Sequence, residues 1–187
     1  MGNTTLYFVQ AVEDLNQTFG GATSYSVVNV SSGDFAVNPN FDGNTDTNLL
    51  TGVDNLLVTG SGTITLSVIV TPGDNLGPYS NTAVATSEAP SGMPVTDNSQ
   101  DGADVDPDNN DDPTDNDQPT VVTFTENPSI GIAKAITSGP TNNNDGTYTL
   151  TYTMMVENTG DVLLNNIQVV ENLNTTFSGA TSYTVKN

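Results

Sequence analysis

The stretch Thr147-Tyr148-Thr149-Leu150-Thr151-Tyr152-Thr153-Met154 alternates threonine with a large apolar residue throughout. Successive side chains of a β-strand point to opposite faces, so this pattern predicts a strand with one apolar face and one hydroxyl-bearing face. Residues 63–68 repeat the alternation, and residues 130–136 do so more loosely. Residues 81–86 and 121–124 are typical of further short strands, and no segment shows a convincing helical period.

Turn signals separate these segments at short intervals. Asn144-Asp145-Gly146 stands just ahead of the opening stretch, and Pro72-Gly73-Asp74 and Asn158-Thr159-Gly160 interrupt the chain in the same way. Asp-Gly accepts the positive φ that tight hairpins require. Many short strands at this spacing predict an all-β fold, an antiparallel β-sandwich.

The chain also repeats its own beginning near its end. Residues 2–29 align without a gap onto residues 160–187, an offset of 160 − 2 = 158, and 16 of the 28 pairs are identical. A fixed period is typical of tandem repeat proteins. The expected order is therefore the later strands of one β-sandwich repeat at 1–96, an Asp-rich segment at 97–120, a closing strand at 121–126, and the opening strands of the next repeat at 127–187.

The duplicated segment leaves two arrangements open. Residues 2–29 and 160–187 would compete for one place in a single sandwich. Either the chain is part of a longer array, or the C-terminal part of each chain completes the N-terminal part of its neighbour, head to tail. Main-chain pairing to an open sheet edge would then supply the affinity. In both cases the expected partners are neighbouring copies of the same repeat.

Three motifs resemble a repeat of large bacterial and archaeal cell-surface proteins. They are PSIGIAK at 128–134, GTYTLTYTMMVENTG at 146–160 and IQVVENL at 167–173; NTAVA at 81–85 and VTDNSQDG at 95–102 continue the pattern. The family is a conserved repeat domain of unknown function. The resemblance implies an immunoglobulin-like sandwich in an extracellular stalk, adhesin or filament. Glu171 departs from the family, which more often has aspartate there.

Composition excludes several classes of function. The chain has 22 acidic residues, two lysines, no histidine and a formal net charge of −20, which argues against nucleic acid or an anionic membrane as a partner. Without cysteine there is no thiol catalysis, zinc-thiolate site or disulfide. No apolar run approaches the roughly 18 residues that a membrane span needs. With no histidine and no glycine-rich loop followed by lysine, we do not expect an enzyme.

The Asp-rich segment is the strongest chemical signal, with nine aspartates in residues 97–117. Asp97, Ser99 and Asp101 fit positions 1, 3 and 5 of a calcium loop, Gly102 fits the glycine at 6, and Asp108 falls at 12. Neighbouring carboxylates within about 7 Å repel one another without a cation. The alternative is a solvated acidic linker; we favour calcium. The predicted ligands are Asp97, Ser99, Asp101, Asp104, Asp106, Asp108, Asp111, Asp112, Asp115 and Asp117.

Lys134 has the strand parity of Ile130, Ile132 and Ile136, which directs it toward the predicted core. A buried ammonium is costly unless it is paired. Lysines in some surface sandwiches form a covalent isopeptide bond to an asparagine near an acid. The matching residues are an asparagine equivalent to Asn81 in the following repeat, with Glu157 or Glu171 as the acid. The alternatives are an ordinary ion pair or a lysine that reaches solvent.

Two functions remain open. The first is a passive structural repeat, stiffened by calcium, of a bacterial cell-surface stalk, adhesin or filament. The second is a binding module for a glycan, a host surface or ice, supported by the threonine row at 147, 149, 151 and 153. Glycosylation-like triplets begin at Asn3, Asn16, Asn29 and Asn174, and in a chain so rich in Asn and Thr we assign them to composition.

Overall fold

The computed structural model describes residues 4–186 and confirms the all-β prediction. Strands hold 37% of the residues and helices 7%. Every strand pair within the described range is antiparallel. The chain divides into two compact units, here called unit 1, which ends at Thr125, and unit 2, which begins at Glu126.

Unit 1 contains three small sheets and one short helix within residues 4–125. The elements are β1 (Tyr7–Val12), α1 (Leu15–Phe19), β2 (Ser24–Ser32), β3 (Ile64–Thr71), β4 (Tyr79–Asn81), β5 (Val84–Glu88), β6 (Pro94–Asn98), a 3₁₀ turn (Pro113–Asp115) and β7 (Thr120–Val122). The sheets have the orders β1-β5-β6, β2-β3 and β4-β7. The predicted strands at 63–68, 81–86 and 121–124 correspond to β3, to β4 with β5, and to β7.

Helix α1 anchors the core of unit 1 and was not predicted. Its N-terminus is capped by Asp14, whose Oδ1 accepts a hydrogen bond from the Gln17 amide at 2.8 Å. Such a cap satisfies an amide that the first helical turn leaves unpaired. Leu15 and Phe19 then enter the buried cluster, where the Phe19 ring lies 5.4 Å from that of Tyr79. A five-residue helix shows no period, so capping and burial specify it.

Unit 2 is built around a long hairpin. Strand β8 (Ile130–Asn142) pairs with β9 (Tyr148–Asn158), and helix α2 (Leu173–Thr176) follows. The predicted turn is confirmed, because Asn144 and Gly146 have φ of +62° and +87° between the two strands. The register places Ile132 opposite Val156 and Lys134 opposite Met154 on one face.

Three local features of the duplicated sequence recur in both units. Helix α2 lies 158 positions after α1, and Asn172 caps it as Asp14 caps α1, accepting from the Thr175 amide at 3.1 Å. Phe8 and Asn166, also 158 apart, both have φ of +56°. The ring pairs Phe19–Tyr25 and Phe177–Tyr183 are equivalent, with centroids 6.2 and 5.8 Å apart. These contacts therefore belong to the repeat and not to one copy.

Burial and strand pairing differ between the copies. Leu15 is 1% exposed, whereas its counterpart Leu173 is only half-buried. Strand β1 pairs with β5, but the counterpart of β1 at residues 165–170 forms no strand. Within residues 4–186, no strand pairs with residues 165–170. Segment 162–186 is thus less buried and less paired than its counterpart, segment 4–28.

Candidate functional site

In unit 1, the buried carboxylate of Glu13 holds the side chain of Asn81. Glu13 follows strand β1 and is 5% exposed, while Asn81 ends strand β4 and is half-buried. The Asn81 amide Nδ2 donates to Glu13 Oε1 at 2.8 Å. Burial raises the pKa of the Glu13 carboxyl above its ordinary value, partly offset by the hydrogen bond from Asn81. This pair places the amide of a half-buried side chain beside a buried acid.

In unit 2, the glutamate at the equivalent position of the repeat, Glu171, forms an ion pair with Lys134. The Lys134 ammonium lies 2.5 Å from Glu171 Oε2 and 4.2 Å from the ring centroid of Tyr152. The two charged side chains are 32% and 28% exposed. The Tyr152 ring adds a cation–π contact to the ion pair. Lys134 lies on the face of the hairpin that carries Ile132 and Val156, as its strand parity predicts.

Glu13 and Glu171 occupy one position of the repeat, since 171 − 13 = 158. Glu13 accepts a hydrogen bond from Asn81, and Glu171 forms an ion pair with Lys134. The structure therefore assigns Glu171 to Lys134 out of the two predicted acids. Glu157 is opposite Gly131 in the register and lies on the other face of the hairpin. Sequence reasoning missed Glu13, although the repeat alignment with Glu171 could have found it.

The start of the Asp-rich segment continues a sheet. Asp97 lies in β6 and is half-buried, and Ser99 extends the pairing by donating its amide to Ala83 O at 2.8 Å. The Ser99 hydroxyl accepts from the Ala83 amide at 3.0 Å. Burial raises the pKa of Asp97, with the nearby carboxylates of Asp117 and Asp112 contributing in the same direction. The Asp101 amide donates to Gln118 O at 2.8 Å, which ties the two ends of the segment together.

The middle of the segment forms a loop in which amides bridge carboxylates. The Asn110 Nδ2 donates to Asp108 Oδ2 at 3.0 Å and to Asp115 Oδ2 at 2.9 Å. The Asn116 Nδ2 donates to Asp115 Oδ1 at 2.7 Å. The Asp106 carboxylate accepts from the amides of Asn110 and Asp111, and Asp104 accepts from the Asp106 amide. Neutral donors thus lie between acids that would otherwise repel one another.

The ten predicted calcium ligands therefore fall into separate groups. Asp108 and Asp115 share donors, and Asp112 and Asp117 act electrostatically on Asp97. Within residues 4–186, no three acidic side chains converge in an arrangement that could hold a metal ion. Most of the carboxylates are exposed to solvent.

The threonine row of β9 lies on the hairpin face opposite Lys134. The register places Thr149, Thr151 and Thr153 opposite Thr141, Ser138 and Ala135. Several of these hydroxyls already have partners, since Thr153 shares a 3.0 Å hydrogen bond with Thr137 and Thr149 accepts from the Asn143 amide at 3.0 Å. The row is exposed, but part of its hydrogen-bonding capacity is used internally.

Comparison with known proteins found no match to any family model, any curated protein or any solved structure. None of the helices in the described range is long and apolar enough to cross a membrane. The class supported by the geometry is thus a β-rich repeat that contains an acid–amide pair, an acid–lysine pair and an acidic loop.

Proposed function

We propose that this chain is a structural repeat of an extracellular stalk, adhesin or filament, with the immunoglobulin-like sandwich that its motifs resemble. The observation that carries the proposal is the recurrence, 158 residues apart, of a capped helix, an aromatic pair and a positive-φ residue. A domain whose structural features recur at a fixed period along one chain is suited to stacking in an array.

The mechanism is passive. Antiparallel ladders and the buried cluster around Leu15 and Phe19 stabilise unit 1. The hairpin of unit 2 exposes Ile130, Ile132 and Ile136 at 55%, 61% and 51%. Exposed apolar faces of this kind mark interaction sites. The proposed occupant of this face is the later part of a repeat, in the same array or in a neighbouring chain placed head to tail.

The proposal includes calcium at the Asp-rich segment. Asp108 and Asp115 are bridged by neutral amides, and the carboxylates of Asp117 and Asp112 help to raise the pKa of Asp97. A divalent cation prefers six to eight such oxygens and would replace the weak amide bridges with direct coordination. Calcium would then stiffen the joint between neighbouring repeats. The weak affinities of extracellular calcium modules, about 10⁻⁴–10⁻³ M, are the expected range.

Replacing Asp101 and Asp108 together with alanine tests the metal. The double variant should lose thermal stability in millimolar calcium and keep it in chelator, because only the loaded state uses the ligands. A matched control removes Asp74 and Glu88, two exposed carboxylates outside the segment. Equal loss in calcium and in chelator would rule out the calcium loop.

Light scattering on the purified chain, in calcium and then in EDTA, tests the assembly. Concatenated species that dissociate in EDTA are expected for a calcium-dependent fibre subunit. A monomer in both conditions would contradict head-to-tail completion. The remaining interpretation would then be that the chain is part of a longer array.

The alternative function is a binding module for a glycan, a host surface or ice, and it rests on the exposed threonine row of β9. The internal hydrogen bonds of Thr149 and Thr153 favour a structural role for this face. A glycan array and an ice-affinity assay with a Thr151→Ala variant distinguish the two. Specific retention that this variant abolishes would favour the binding module.

A further inference from the structure

We propose that Lys134 of one copy forms a covalent isopeptide bond with Asn81 of a neighbouring copy, with Glu13 beside both. The inference deepens the head-to-tail completion of the proposed function and rests on it. Each unit holds two of the three residues needed, and the repeat position shared by Glu13 and Glu171 connects them.

The two half-sites are complementary in composition. Unit 1 supplies the amide of Asn81 against the buried carboxylate of Glu13. Unit 2 supplies the ammonium of Lys134 against Glu171, the same repeat position. When the β8–β9 hairpin of the first copy docks on unit 1 of a second copy, Glu13 of the second copy replaces Glu171 of the first copy as the partner of Lys134. Lys134 and Asn81 then share one carboxyl group.

The side chains on this face of the hairpin favour a second copy of the chain as its binding partner. It is an apolar surface with Lys134 among Ile132, Val156 and Met154. A partner must therefore offer both apolar area and a buried acid for the lysine. Unit 1 has such an acid in Glu13, and the residue at the same repeat position in unit 2, Glu171, is paired with Lys134.

The reaction balances without any other reagent. The neutral Nζ of Lys134 attacks Cγ of Asn81, a new C–N bond forms, and the bond from Cγ to Nδ2 breaks. The protonated Glu13 carboxyl donates a proton to the departing Nδ2 and takes one from the attacking amine, so it ends as it began. The products are an amide and ammonia, and nothing is oxidised or reduced.

The surroundings of Glu13 suit this role. Its side chain is within hydrogen-bond distance of the leaving group, since Asn81 Nδ2 lies 2.8 Å from Glu13 Oε1. A general acid is effective when burial keeps its proton bound near neutral pH. The burial of Glu13 acts in that direction.

The test uses the full chain at high concentration, followed by denaturing electrophoresis and peptide mass spectrometry. The expected result is a ladder of covalent oligomers and a linked Lys134–Asn81 peptide lighter by one ammonia. Lys134→Arg keeps the positive charge and should abolish the ladder, as should Asn81→Ala. Lys186→Arg is the matched control, because it removes the only other lysine and should leave the ladder intact.

Mixing the two inactive variants gives the sharpest result. The Lys134→Arg chain still offers Asn81, and the Asn81→Ala chain still offers Lys134, so the mixture should form covalent dimers and nothing longer. Glu13→Gln should slow bond formation at least tenfold while non-covalent assembly persists. Assembly by light scattering with no linked peptide would overturn the bond and leave the proposed assembly standing. Monomers throughout would overturn both.

Discussion

Replacing Leu15 with alanine should destabilise unit 1 far more than the equivalent change at Leu173 destabilises unit 2. Leu15 is 1% exposed, and a Cβ added at Gly43 would lie 2.5 Å from its Cδ1, so this leucine packs directly against backbone. A cavity there cannot collapse easily. Leu→Ala changes at such sites cost about 3 kcal/mol or more, which corresponds to roughly 12 °C in Tm.

Leu173 is the matched control because it has the same sequence context but is only half-buried. Its replacement should cost about 1 kcal/mol, since less apolar area leaves solvent. Hydrogen-exchange mass spectrometry at increasing urea reads the two units separately, through peptides from β2 and from β9. The assay is run at low concentration to avoid assembly. Equal losses at both sites would refute the claim that only unit 1 has a closed core.

Two further predictions concern pH. Because burial raises the pKa of Glu13 above its ordinary value of 4.5, the native state holds this proton more tightly, and stability should fall as pH rises from about 4.5 through the folded pKa. Glu13→Gln keeps an acceptor for Asn81 and should remove this slope in urea midpoints measured across pH; an unchanged slope would exclude Glu13 as its source. Hydrogen bonds from Thr45, Asp46 and Asn44 lower the pKa of Asp42 from 3.8 to about 2, so its contribution is present above pH 3.8 and lost as pH falls through about 2. Asp42→Asn should therefore melt below wild type at neutral pH and together with it near pH 2, and a constant gap would contradict the assignment.

The strand content was predictable because alternation is a local property. Thr147 to Met154 has one apolar and one polar face in any antiparallel hairpin, and the Asp145-Gly146 turn fixes where the hairpin reverses. The placement of Lys134 on the face of Ile132 followed from the same rule and agrees with the observed register. The expectation that this face is buried in a core was wrong, since Ile132 is 61% exposed.

The rest depends on contacts between residues far apart in sequence. Phe41, Leu49 and Leu50 are buried, yet they lie in a segment of irregular backbone with no period to reveal them. The ten predicted calcium ligands were chosen by spacing alone, and spacing does not show that Ser99 continues a β-ladder with Ala83. Glu13 was missed because its role depends on a hydrogen bond from Asn81, 68 positions away, which no local pattern predicts.

The unpaired state of residues 165–170 has a practical consequence. This segment matches a segment that forms strand β1 when a β5 is beside it, and here it has none. Its amide hydrogens should exchange rapidly in an isolated chain. They should stay rapid when a neighbouring copy docks as proposed, because residues 7–12 of that copy already pair with its β5. Protection at residues 165–170 on assembly, with loss of protection at residues 7–12 of the neighbour, would instead show that the two duplicated segments exchange places beside β5.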